Sequence, residues 1–183
     1  MMGKRIKGSL VMFTALFFAL SGCGYTTKSL LPSDIKSIYV ASFANDIKIT
    51  AEQTDLRMYR GYRPGMEVEL TTAVINRFLY DGNLKIEQES KANLILHGDL
   101  VDFKRDALRY DASDNVEEYR IKLIVNMEME NVRTGKLMWS EKGFAGETTY
   151  RTSGSLAKTE NAAINDAVSD LARRIVERTV EVW

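Results

Sequence analysis

From Tyr119 to Met129 the chain alternates. Tyr119, Ile121, Leu123, Val125, Met127 and Met129 are apolar, and Arg120, Lys122, Asn126 and Glu128 between them are polar, with Ile124 the one exception. A period of two sends the two sets to opposite faces, so the spacing predicts a half-buried strand. Asn131 to Lys136, with Thr134-Gly135, reads as a hairpin loop, and Leu137 to Glu147 as the returning strand with Trp139 on one face. Two segments have helical spacing instead. Met66, Leu70, Val74 and Phe78 recur every fourth position, with Glu67 and Glu69 in the first turn, where the helix dipole favours negative charge, and Asp81-Gly82-Asn83 as a stop. Ile164, Ala167, Val168, Leu171, Ala172, Ile175 and Val176 form one apolar stripe, Ser155 or Thr159 is placed to cap it, and Asp170 precedes Arg174 by one helical turn.

The rest of the pattern is weaker. Ser37 to Phe43 is β-branched and aromatic and reads as a first strand, Leu84 to Gln88 as a short one, and Asn93 to Lys104 as one with an irregularity near Gly98. Asn45 to Arg63 and Asp106 to Val116 are polar and read as loops, and Tyr150 to Gly154 as a flexible connection. The order strand, helix, three or four strands, helix predicts an α+β fold: a small, mainly antiparallel sheet packed against two amphipathic helices as a two-layer sandwich.

Composition narrows the classes. The 183 residues carry 25 basic and 25 acidic side chains, 45% hydrophobic residues, 2 Pro and 12 Gly. That is globular composition, without the basic excess expected of a nucleic-acid binder. One Cys and one His exclude an internal disulfide and a zinc-binding Cys/His cluster. No residue pattern requires a cofactor or a metal.

The N-terminus changes the picture. Lys4, Arg5 and Lys7 precede an apolar run that ends at Leu20-Ser21-Gly22-Cys23. A basic start, a short apolar core and small residues before a cut site form a secretory signal, and the run is shorter than the ~20 residues that span a bilayer. Leu-Ser-Gly-Cys resembles the bacterial lipobox, in which the Cys thiol receives a diacylglycerol and the chain is cut before it. The sequence thus divides into a signal peptide at 1–22, a tether at 23–36 lipidated on Cys23, and a single α+β domain at 37–183. Cleavage removes three basic residues, so 22 remain against 25 acidic. Gly24, where an Asp would resemble an inner-membrane retention signal, favours the outer membrane.

Few residues offer chemistry. His97 follows Leu94-Ile95-Leu96; a general base is conceivable, but no nucleophile motif accompanies it, and a strand histidine is the simpler reading. Asp99 and Asp102 are three apart, which in a regular strand puts them on opposite faces and argues against a carboxylate pair. Arg60-Gly-Tyr-Arg-Pro-Gly65 leads into a helix and is the nearest approach to an anion loop; a plain turn accounts for it. Arg109, in the polar loop before the alternating strand, and Lys158, at the start of the last helix, fall near one end of the expected sheet, where basic side chains could meet lipid phosphates.

Leu20-Ser-Gly-Cys-Gly-Tyr25, Leu31-Pro-Ser-Asp-Ile-Lys-Ser-Ile-Tyr-Val40, Arg63-Pro-Gly-Met-Glu-Val-Glu-Leu70 with Asp81-Gly-Asn83, Glu118-Tyr-Arg120 and Leu156-Ala-Lys158 occur in this order. Together they resemble the lipopolysaccharide-assembly lipoprotein family (LptE-like). The resemblance implies a small sheet covered by two helices. It implies a non-enzymatic outer-membrane lipoprotein that plugs and helps assemble a large lipopolysaccharide-exporting β-barrel and binds lipopolysaccharide, held to the inner leaflet by its acyl chains. The family's lipid-contacting basic residues match Arg109 and Lys158 here, the loop around Arg109 being the less close match. The chain ends at Trp183 without the polar tail of some members. The rival reading is a lipid-anchored structural or adaptor subunit of another envelope assembly without a lipid ligand. An envelope hydrolase would need His97 exposed in a cleft beside a nucleophile.

Overall fold

The structure, a computed structural model, describes residues 31–47 and 64–181; Cys23, the signal segment, most of the tether, residues 48–63 of the expected long loop and Trp183 lie outside them. The described chain runs β1 (Ser37–Val40), β2 (Ala44–Asn45), α1 (Met66–Asp81), β3 (Lys85–Ile86), β4 (Leu94–Tyr110), β5 (Val116–Asn131), β6 (Lys136–Arg151) and α2 (Glu160–Glu181). One open sheet has the order β3-β1-β4-β5-β6, with β2 beside β4 farther along from β1. β1 runs parallel to β3 and β4, and β2 parallel to β4, in short pairings. The long β4, β5 and β6 are antiparallel. The fold is the expected α+β arrangement.

The core lies between one sheet face and the two helices. Met66, Leu70, Val74 and Phe78 of α1 and Ala167, Leu171, Ala172 and Ile175 of α2 are buried against Ile38, Leu96, Leu123, Val125 and Met127. Gly82 ends α1 in the left-handed region, φ 75°, and its N–H donates to the Phe78 carbonyl at 3.0 Å, which satisfies an otherwise orphaned acceptor. Thr159 starts α2 by accepting the Ala162 N–H at 3.2 Å. The expected Asp170–Arg174 pair does not form: Asp170 pairs with Arg173, and Arg174 turns onto the Phe144 ring at 5.4 Å.

The strands differ from expectation in three ways. The first strand stops at Val40; Phe43 is buried beyond it, with its N–H donated to Thr71 Oγ1 at 2.9 Å, and Asn45 belongs to β2 rather than to the loop. β4 continues to Tyr110, and β6 to Arg151, so the Asp106–Tyr110 stretch is strand and not loop. The irregularity in β4 is a bulge at Val101, not at Gly98. Leu100 lies opposite Val125 and Asp102 opposite Ile124, which leaves Val101 as the extra residue. The bulge falls between Asp99 and Asp102, so it reverses their predicted separation: both now lie on the uncovered face. It also brings Phe103 and Arg105 to the core side. Gly98 has a different role, because a Cβ there would stand 2.2 Å from the Phe43 ring.

Candidate functional site

β4, β5 and β6 run on past the region that α1 covers. At about 3.3 Å per residue the 16 residues of β5 span about 50 Å. The end away from the tether is built by the β4–β5 hairpin, the last residues of β6 and the connection to α2. There the register sets Arg109 opposite Glu118, Glu118 opposite Arg151, and Arg151 beside Ala157. The Lys158 N–H donates to the Arg151 carbonyl at 3.0 Å. Arg109 and Lys158 therefore share one end of the sheet, about three strand spacings or ~15 Å apart. Arg109 is on a strand, however, and Lys158 precedes the helix by two residues instead of opening it.

Both cations are already engaged. Arg109 Nη2 lies 3.2 Å from Glu118 Oε2, and Lys158 Nζ 2.7 Å from Asp166 Oδ2, each cationic side chain about half exposed. Asp111 of the hairpin turn accepts the N–H groups of Ser113 and Asn115, which holds its carboxyl below the ordinary range. With Asp106, Asp114 and Glu117 nearby in the sequence, this end is not a purely basic surface. Exposed Leu108, Tyr110 and Leu156 stand among these charges, so the end is amphipathic.

His97 is exposed on the uncovered face. It lines a cavity of about 220 Å³ with Asp99, Asn126, Glu128, Ser140 and Lys142. The Ser140 hydroxyl donates to Glu128 Oε1 at 3.3 Å, and Glu128 stands between Ser140 and His97 in the strand register. The nucleophile–base hydrogen bond of a hydrolase is thus not made here. Of the two carboxylates that the bulge aligns, Asp102 has its Oδ2 3.3 Å from Lys104 Nζ, and Asp99 lines the cavity with His97. Among the described residues no three His, Cys, Asp or Glu side chains are grouped to hold a metal ion. Gly65 serves as the turn before α1, its carbonyl accepting the Val68 N–H at 3.0 Å.

Sequence reasoning missed one cluster behind this end. Arg105 Nη1 donates to both Glu160 oxygens at 2.8 Å, and its guanidinium lies 4.8 Å from the centre of the Tyr119 ring. Tyr119 stacks on Tyr150 with ring centres 5.7 Å apart. Burial raises the Tyr150 phenol pKa, Glu160 adds to the rise, and Arg105 opposes it. The cluster fastens the first turn of α2 to β4, β5 and β6. The odd spacing of Leu100 and Phe103 is the sequence signal that would have placed Arg105 on the inner face.

The arrangement defines a class: a two-layer α+β domain with one sheet face uncovered among the described residues and an amphipathic strand end beyond its helices. Residues 35–179 match the LptE family, described as lipopolysaccharide-assembly, and the chain belongs to that family. Among solved structures it is similar to a Xanthomonas campestris protein of family DUF330, with 15% identity and a TM-score of 0.56 over 85% of this chain and 88% of that one. A hypothetical protein from Chlamydia trachomatis superposes with a TM-score of 0.51 at 10% identity, over 79% of this chain and 95% of its own. Rare lipoprotein B from Shewanella oneidensis is 19% identical, with a TM-score of 0.45 over 77% and 92% of the two chains. The first two show a shared fold. No curated protein matches the chain.

Proposed function

We propose that the chain is a non-enzymatic outer-membrane lipoprotein, acylated on Cys23 and facing the periplasm. It plugs and helps assemble a lipopolysaccharide-exporting β-barrel and contacts lipopolysaccharide during insertion. The family match over residues 35–179 carries this reading, because it spans the sheet, both helices and the far strand end. The uncovered sheet face and the amphipathic end support it by leaving surface for a barrel wall and for a phosphorylated amphiphile. No helix among the described residues is long and apolar enough to cross a membrane, and acyl chains provide stable attachment without one.

The ion pairs of Arg109 and Lys158 favour a second reading, an adaptor subunit without a lipid ligand, since both cations are paired before any phosphate arrives. A pull-down of the tagged full-length protein from detergent-solubilised outer membrane separates the two. Stoichiometric recovery of a large β-barrel is the expected result. Recovery alone or with soluble periplasmic proteins would replace the plug reading with the adaptor.

A further inference from the structure

The end of the sheet opposite Arg109 is where the tether enters. Ser37 opens β1 beside Lys85 of β3, while Leu94 of β4 faces Asn131 and Asn131 faces Lys136 of β6. The entering chain is fixed there. Asp34 pairs with Arg133 of the β5–β6 turn, and Asn93 Oδ1 accepts the N–H groups of Lys36 at 2.9 Å and Ser37 at 3.1 Å. α1 ends at Asp81, four residues before Lys85, so its last turn is at the same end. That turn exposes Leu79 by 62% and Tyr80 by 82%, and the β5–β6 hairpin exposes Val132 by 38% and Leu137 by 56%. The two apolar pairs flank the sheet, roughly four strand spacings or ~19 Å apart.

We propose that in the free lipoprotein, before a barrel encloses it, this end of the domain rests on the lipid leaflet, with Leu79–Tyr80 and Val132–Leu137 as two apolar footholds and the chain entering β1 at Asp34–Ser37 as the third point of contact. The inference rests on acylation of Cys23. Eight peptide units join Cys23 to Leu31, a reach of at most about 28 Å, so acyl chains in the leaflet keep the tether end close to it. Three points define a plane and therefore an orientation. The Arg109–Lys158 end then projects about 45 Å from the lipid along β5, available to a partner. Charge does not drive the contact: Lys36, Lys85, Lys91, Arg133 and Lys136 at this end are matched by Asp34, Asp81, Glu87, Glu89 and Glu130. Partition of the apolar side chains, with a Tyr at headgroup depth, supplies the attraction.

The test uses the full mature chain, acylated on Cys23, in phosphatidylethanolamine–phosphatidylglycerol vesicles without a barrel. Acylation consumes the only native thiol, so Tyr80→Cys, Leu137→Cys and, at the far end, Leu108→Cys each carry one nitroxide. At positions 80 and 137 the expected relaxation is by dissolved oxygen several-fold more than by a water-soluble nickel chelate, relative to position 108, and is unchanged by added salt. Aqueous behaviour at 80 and 137, equal to that at 108, with the protein floating with the vesicles, would overturn the docking alone. Failure of the unlabelled protein to float with the vesicles would overturn the anchoring reading and the docking together.

Discussion

Gly146→Ala is expected to be among the most disruptive single-methyl changes in the sheet. Gly146 lies on the inner face of β6, opposite Leu123, beneath α2. A Cβ at this position would stand 2.4 Å from the Leu171 Cβ and 2.5 Å from the Leu171 Cα and N. Carbon atoms rest about 3.5–4.0 Å apart, so α2 must withdraw by roughly 1 Å, because the obstructing atoms are mostly backbone and cannot rotate away. A gap of that size forfeits a quarter to a half of the dispersion energy of each opened contact. The loss falls on Ala167, Leu171, Ala172 and Ile175, all buried on the same helix. Overpacking typically costs about 1–3 kcal/mol, and a rigid obstruction belongs at the upper end, about 3 kcal/mol. At ~2–4 °C per kcal/mol for a domain of this size, Tm should fall by roughly 6–12 °C. Thermal and urea unfolding of the chain lacking its first 23 residues, followed by circular dichroism, measures both quantities. Gly143→Ala is the control: its φ of 69° strains an alanine, but nothing lies within 4 Å, so about 1 kcal/mol is expected. A Gly146→Ala protein within ~0.5 kcal/mol of wild type, or no worse than Gly143→Ala, would refute the close seating of α2 on β6.

Arg105→Ala should cost about 2 kcal/mol, from loss of charged hydrogen bonds to Glu160 and of the contact with Tyr119, and a double-mutant cycle with Glu160→Ala should return a coupling near 1 kcal/mol or more. The Tyr150 phenol, raised above the ordinary 10.0 chiefly by burial, keeps its proton in the folded state at a pH where the unfolded chain has lost it. Its contribution is therefore complete below pH 10.0 and is lost as pH rises from there through the folded-state value; urea midpoints across that range should fall less steeply in Tyr150→Phe. Arg109→Glu with Lys158→Glu should abolish retention of lipopolysaccharide by the purified lipoprotein while leaving Tm nearly unchanged, since exposed ion pairs contribute at most about 1 kcal/mol. Undiminished retention would assign both residues to surface charge.

What the sequence made legible follows from what faces the core. α1, α2 and the Tyr119–Met129 alternation were readable because each has one apolar side packed against another layer, and burial is what writes a period into a sequence. Asp106 to Tyr110 carries no such period, although it is as much a strand as Leu94 to Leu100. Its residues are mostly exposed, so there is no buried face to select for apolar residues, and the stretch reads as a loop. The bulge at Val101 hides the rest: a single extra residue exchanges the faces, which put Asp99 and Asp102 on the same side and Arg105 against Glu160 without any change of composition. Spacing alone pairs Arg174 with Asp170, but an aromatic ring on β6 draws its guanidinium across to the sheet.

The candidate site is the least legible part of the chain for the same physical reason. A surface meant to meet a barrel wall or a lipid has no intramolecular partner, so neither helical nor strand periodicity marks it. Arg109 and Lys158 stand out only by their place in the expected topology and by the family resemblance, and strand register brings them together; no pattern of their own marks them. Their ion pairs with Glu118 and Asp166 give the proposed contact a definite cost, because a phosphate must displace a carboxylate that is already in place. Neutralising those acids as Glu118→Gln and Asp166→Asn should therefore tighten lipopolysaccharide binding if the phosphate contact is real and leave it unchanged if it is not. A change of charge that improves binding cannot be attributed to unfolding, which makes it the more decisive of the two experiments on this end of the sheet.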